Sequence, residues 1–245
     1  MYIDLNCDMG EGMPTDAEIM PYISSANIAC GYHAGDKQTM EQTVTLALQH
    51  QVAIGAHPGF DDKENFGRTE QQLPDSQIYD LITIQIHLLQ EVCRSLGASL
   101  RHVKPHGALY NMAARDQHLS TIIAQAIRDT NPALCLYGLS NSWLIKAAAE
   151  MGLKTASEVF ADRTYQENGL LTPRSQPNAL IENEADALAQ VLQMVTKQEV
   201  TTLNGKIVPL RAETICLHGD GAHAVAFARA VHQTLREHHL TIQHT

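Results

Sequence analysis

Four histidines in this 245-residue chain, His33, His57, His106 and His218, each follow a short apolar run and lie within two residues of a glycine. The carboxylates Asp8, Glu11, Asp36, Glu158, Asp162 and Asp220 occupy comparable places. Imidazoles and carboxylates gathered on one rim can do two things. They can bind a divalent ion such as Zn²⁺, or they can move protons once burial between like charges has shifted a pKa toward neutrality. The sequence has no HExxH motif, so both remain open, with Asp8, His57 and His106 as the metal candidates. Lys104, Arg68, Arg163 and Arg174 are the nearest cations, and an Arg fork matches a carboxylate or phosphoryl group. A small anionic substrate fits them, although each Arg can equally pair with a rim carboxylate, as Asp162 beside Arg163 invites. Asn111 and Tyr110 either reach a ligand or cap and pack their turn. His50, His87, His118, His232, His238 and His239 fall on helical stretches and are read as solvated or capping. His102 and His223 are ambiguous, and His244 is in the tail. Neither a GxxxxGK[ST] phosphate loop nor a GxSxG nucleophile elbow occurs, so nucleotide binding within this chain is unsupported.

These groups sit where strand-like runs end. Strands are expected at residues 2–7, 24–28, 52–56, 100–103, 134–137, 154–158 and 213–217. Between them helical spacing is expected at 39–48, from Pro74 and Asp75 to a stop at Gly97, at 118–129, 142–150, 184–194 and about 222–236. After residues 104–107 the helical pattern is read as resuming only near Asp116. Asn204-Gly205 between two apolar triplets predicts a hairpin that interrupts the alternation. Seven strands alternating with helices imply parallel strands with right-handed crossovers. They predict one distorted barrel spanning 1–245, with an open doubly wound sheet as the runner-up. In a barrel the carboxyl ends of all strands share one face, which would assemble the scattered motifs into one site. The long loop after His57 is expected to cover part of it.

Composition narrows the class. The chain is 44% apolar and 18% charged, with formal net charge −10. That is ordinary for a soluble globular protein, and with no basic run it argues against a nucleic-acid partner. No apolar run approaches the roughly 18 residues of a membrane span and no signal region opens the chain, so a cytoplasmic protein is expected. Five widely spaced cysteines suggest buried reduced thiols rather than disulfides or a CxxC site.

Residues 4–12, 24–36, 55–58, 102–111, 158–165, 173–175 and 216–221 together resemble the LamB/YcsF family, which includes the A subunit of bacterial ATP-dependent 5-oxoprolinase. The resemblance covers nearly the whole chain in the family's motif order, with Cys7 and Gly59 where other members often carry other small residues. It implies a seven-stranded, TIM-like (β/α) barrel of the glycoside hydrolase/deacetylase type. It also implies cleavage of 5-oxo-L-proline to L-glutamate with ATP hydrolysed to ADP and phosphate, beside the 5-oxoprolinase B and C subunits as partners. Because this chain lacks an ATP loop, ATP is expected to be used by the partners. On the matching motifs, Asp8, Asp36, His57, His106 and His218 are the expected acid/base groups. Glu11, His33, Arg68, Lys104, Asn111, Arg163 and Arg174 are expected around the lactam, with a divalent metal possible. A stand-alone metal-dependent deacetylase or amidohydrolase and a carbohydrate or small-molecule binding protein are the alternatives.

Overall fold

The first strand shows how the sequence builds the molecule. In β1 (Tyr2–Met9), Ile3, Leu5, Cys7 and Met9 alternate with Asp4, Asn6 and Asp8, a pattern that normally marks a sheet with one wet face. In the computed structural model, which describes residues 2–219 and 223–245, Ile3 to Met9 are nevertheless almost entirely buried. The apolar set packs outward against helices, while Asp4 and Asn6 point into a closed barrel and hydrogen-bond across it.

The order is β1, α1 (Asp16–Ile19), β2 (Ser25–Ala29), α2 (Lys37–Gln49), β3 (Ala53–His57), α3 (Asp75–Ser95), β4 (Leu100–Val103), α4 (Gly107–Arg115), α5 (Gln117–Thr130), β5 (Cys135–Leu139), α6 (Trp143–Glu150), β6 (Lys154–Phe160), α7 (Glu184–Lys197), β7 (Glu199–Thr201), β8 (Ile207–Pro209), β9 (Thr214–Leu217), α8 (Ala224–Glu237) and β10 (Thr241–Ile242). The sheet runs β1-β2-β3-β4-β5-β6-β9 with every pairing parallel, and β9 returns to β1 in the register Asp4↔Thr214 to Cys7↔Leu217. That closure makes the expected seven-stranded barrel and removes the open sheet. Strand β10 adds a short parallel pairing at the start of β1, and β7 and β8 are the hairpin around Asn204-Gly205.

Helix starts follow local chemistry. Asp36, Asp116, Ser142 and Asn183 cap α2, α5, α6 and α7, each accepting a backbone N–H two or three residues into its helix, which satisfies a donor the helix leaves orphaned. Helix α3 buries Ile78, Leu81, Ile82, Ile86, Leu89 and Val92 on one face, and Gly97 at φ +71° ends the turn beyond it. All five cysteines are buried and unpaired with one another. Among the described residues no helix is long and apolar enough to cross a membrane.

One expectation fails. The chain does not wait until Asp116 to become helical; α4 starts at Gly107, directly after the strand-end residues. Six of its nine residues, from Ala108 to Ala114, are buried, so only Asn111 and Arg115 are left as an exposed stripe, too narrow to betray its period. Gly107 makes the bend possible: it adopts φ +54°, and a Cβ there would lie 2.6 Å from Gly67 O.

Candidate active site

All the barrel strands deliver their carboxyl ends to one mouth, where a cavity of about 410 Å³ is lined by Asp8, Glu11, His57, Lys104, His106 and His218, among others. Arg68, Asn111, Arg163 and Arg174 also border it. Two clusters form its floor.

The first is a buried charge knot. Lys104 follows β4, and its ammonium lies 2.9 Å from Asp8 Oδ1, 2.8 Å from Glu158 Oε1, 3.3 Å from Asn6 Oδ1 and 3.1 Å from Cys216 Sγ. Asn27 on β2 donates to both Asn6 Oδ1 and Asp8 Oδ1, at 2.7 and 2.8 Å. His102, one turn of the pleat below Lys104, donates Nε2–H to Asn27 Oδ1 at 2.8 Å while its ring stacks on Tyr137. Gly55 on β3 is required here, since a Cβ would come within 2.0 Å of the His102 ring. Burial alone would raise the Asp8 carboxyl, but the charges of His57 and Lys104 outweigh it and hold Asp8 well below the usual carboxylate range. Burial likewise opposes the charge on Lys104, yet Asp8, Cys216 and Glu158 push it well above its ordinary value.

The second cluster is imidazole-rich. His57 ends β3, His106 precedes α4, and His33 and Glu11 come from the loops after β2 and β1. The His33 and His106 rings stack at 3.7 Å between centroids, and His57 meets His106 edge-on. Burial pushes His33 down to about 3 and His106 well below the ordinary imidazole value, helped in both cases by the charge on His57. His57 itself is raised: burial works against its charge, but Asp8, with Oδ2 3.3 Å from Nε2, more than compensates. The loop after His57 folds over this cluster, in keeping with its length. Phe66 sits at φ +57°, a left-handed conformation that is costly for an aromatic residue, and its carbonyl accepts from His106 Nε2 at 2.9 Å. Gln85 on α3 holds the turn below it, accepting from Gly59 N and donating to Gly59 O at 3.0 and 2.8 Å.

Beside Asp8 and Cys216, within 4.8 Å of both, His218 has its Nδ1 straddled by the two oxygens of Asp162 at 2.9 Å. Arg174 Nη2 donates to His218 Nε2 at 3.2 Å, so the proton of a neutral His218 is on Nδ1. The His218 charge, working against burial, lowers Asp162.

Several expected roles change once the contacts are seen. Asp36 is exposed and caps α2 through Thr39, remote from the cavity lining, so the structure does not bring it to the site. Lys104 does not stand ready to hold a substrate anion, because its protons are engaged by Asp8, Glu158 and their neighbours. Arg163 borders the cavity, but it is buried and donates to Ala179 O and Thr172 O, tying the segment after β6 to itself. Asn111 lies on α4 and donates to Gly107 O at 3.0 Å. Arg68 and Arg174 border the cavity with exposed side chains, as does Arg115. Asp220 lies outside the described residues. Sequence reasoning misses Asn6, Asn27 and Gln85 and leaves His102 undecided. The available signal is polar residues at period two in strands too short and too central to have a wet face.

Family comparison agrees with this architecture. Residues 3–245 match the model of the LamB/YcsF family. The chain is 53% identical over 245 residues to a protein from Brevibacillus brevis named as the A subunit of 5-oxoprolinase, covering 98% of this chain and 96% of that one. It is also 53% identical over 238 residues to one of the same name from Tolumonas auensis, covering 95% of each. The crystal structure of the lactam utilization protein from Thermus thermophilus superposes with a TM-score of 0.92 at 39% identity over 99% of both chains. The chain therefore belongs to the LamB/YcsF family.

Proposed function

We propose that this chain is the ring-opening A subunit of an ATP-dependent 5-oxoprolinase and works in the cytoplasm with B and C partner subunits. The observation that carries this is the 53% identity to 5-oxoprolinase A subunits over nearly the whole chain. The cavity supports it by offering several proton-transfer groups and exposed arginines at the rim.

A lactam carbonyl is a poor electrophile, because the nitrogen lone pair is delocalised into it. Phosphorylating the carbonyl oxygen with ATP removes that protection, and this step falls to the partners, since this chain has no phosphate loop. Water must then add to the ring carbonyl carbon and give up a proton, the carbon–nitrogen bond must break as the departing nitrogen takes up a proton, and the acyl phosphate so formed must lose phosphate to a second water to leave glutamate. The His57–His106 pair with Asp8 is available for one transfer, and His218, oriented by Asp162 and close to Asp8, for the other. Arg174 and Arg68 are placed to meet the substrate carboxylate or the phosphoryl group.

The test is 5-oxoproline consumption by the purified chain, alone and reconstituted with both partner subunits, with and without ATP. Glutamate should form only in the complete mixture, and His106→Ala in this chain should abolish it while circular dichroism and partner binding stay normal. Steady ATP-dependent glutamate release by the isolated chain would sink the division of labour.

A further inference from the structure

His57 and His106 are tethered so that their lone pairs confront one another. A carbonyl oxygen can only accept a hydrogen bond, so His57 Nδ1, 2.7 Å from Lys104 O, and His106 Nε2, 2.9 Å from Phe66 O, must both carry hydrogen. The opposite nitrogens are then bare in the neutral rings, and His57 Nε2 faces His106 Nδ1 at 2.9 Å. A third acceptor joins them: Glu11 Oε1 is 3.4 Å from His106 Nδ1 and 3.9 Å from His57 Nε2, and it is 3.2 Å from His33 Nε2. One ligand atom from each of these four residues lies within 4.8 Å of the others. A cation between them resolves the conflict.

We propose that Glu11, His33, His57 and His106 form a binding site for one divalent transition-metal ion of the Zn²⁺ class. Two protons also pair these atoms, one on His57 Nε2 between His106 Nδ1 and Asp8 Oδ2 and one on His33 Nε2 toward Glu11 Oε1, and a single metal ion would replace both. Zn–N bonds of about 2.0–2.1 Å around a tetrahedral ion put neighbouring ligand atoms about 3.4 Å apart, inside the spread of contacts seen here. Imidazole with one carboxylate selects zinc-like ions over Mg²⁺ or Ca²⁺, which prefer all-oxygen sites. The two carbonyls play the part that outer acceptors play at metal-bound histidines, fixing the tautomer and aiming the lone pair. Glu11, His57 and His106 also line the cavity, so a ligand there would reach the ion by displacing one of the four residues or adding as a fifth donor. His33 sits behind them, and its buried Nδ1 has no hydrogen-bond partner, so it should be the weakest of the four. A second group, Asp8, Cys216 and His218, is unsuited, because the Lys104 ammonium lies against both Asp8 and Cys216. The proposal stands on this geometry; with the ion bound, His57 and His106 have no free nitrogen, and the proton transfer given to them above falls to Asp8.

The chelator-stripped full chain, confirmed folded by circular dichroism, should be titrated with Zn²⁺ against a chromogenic competitor and with Co²⁺ followed by its visible absorption. One equivalent of each should bind with roughly micromolar affinity or tighter, and Co²⁺ should show the intense bands of a low-coordinate nitrogen–oxygen site. His57→Ala and His106→Ala should each weaken Zn²⁺ by about 100-fold or more and His33→Ala by less, while surface His118→Ala should change nothing. Glu11→Gln, nearly isosteric, provides the test if a histidine variant fails to fold. Failure of Zn²⁺ and Co²⁺ to bind stoichiometrically below roughly 100 µM would overturn the site. So would binding that survives His57→Ala and His106→Ala together, or a ¹⁵N imidazole spectrum showing His57 still as an imidazolium under excess Zn²⁺.

Discussion

The lysine knot and the imidazole cluster share the floor of one cavity but are built on opposite terms. In the knot a cation is surrounded by acceptors: Lys104 faces Asp8, Glu158, Asn6 and Cys216, and Asn27 ties two of them together. In the cluster acceptors face acceptors, with His57 Nε2, His106 Nδ1 and Glu11 Oε1 turned toward a common point. The knot engages its cation from within the chain, with Glu158 Oε2 left buried without a partner, and so holds the barrel mouth together. The cluster sets three imidazoles and a carboxylate around one point, an arrangement that a cation can enter.

The largest expected effect tests that contrast directly. Lys104→Ala leaves Asp8 and Glu158 buried without their cation, and removing one partner from a buried charge pair costs about 3–5 kcal/mol. His106→Ala removes one of two opposed lone pairs, and its lost packing is partly offset by that relief, so it should cost less than half as much. Urea unfolding of both variants checks this; equal destabilisation would mean that the cluster, too, is a structural knot.

The contrast also explains what can be read from sequence. The barrel is legible because the apolar runs of its seven strands recur with helical spacers between them. His57, His106, His218, Asp8 and Glu11 are legible because each follows such a run. Their partners are not. Asn27 and His102 sit inside strands, where a polar residue ordinarily signals a solvent-facing position, and only the closed barrel makes that position a lumen. Gln85 lies on the apolar face of α3, 26 residues from the glycine it clamps. Lys104 and Arg163 are recognisable as cations, but that their donors are already taken is not, because sequence neighbours do not reveal Glu158 or the carbonyls of Thr172 and Ala179. Asp36 is misplaced for a related reason: a carboxylate after a strand looks the same whether it caps the next helix or faces the mouth.

A smaller effect concerns His218, beside the knot and like Lys104 in having its side-chain nitrogens partnered. Asp162→Asn keeps a hydrogen-bond acceptor near Nδ1 but removes the charge that would steady a protonated His218. If His218 carries a proton in ring opening, kcat of the reconstituted enzyme should fall about 10–100-fold while KM changes by less than about threefold. A matched rise in KM with kcat intact would make Asp162 a substrate-binding group instead.

The smallest effect separates the knot's foundation from its charges. Burial, helped by the nearby Lys104 charge, lowers His102 from 6.5 to about 3, so the folded protein keeps it neutral where the unfolded chain would protonate it. Between those values the unfolded state binds more protons, so this contribution is fully present above about pH 6.5 and is lost progressively as pH falls toward 3. From pH 7 to pH 5 the loss should be about 1–2 kcal/mol. His102→Gln, which can still donate to Asn27 Oδ1, should flatten that slope while lowering stability at pH 7 through lost stacking on Tyr137. Urea midpoints of the two proteins at pH 7 and pH 5 give the comparison. An unchanged slope would assign the acid sensitivity to the mouth, where His33 and His106 are also held neutral, and would leave the barrel lumen indifferent to pH.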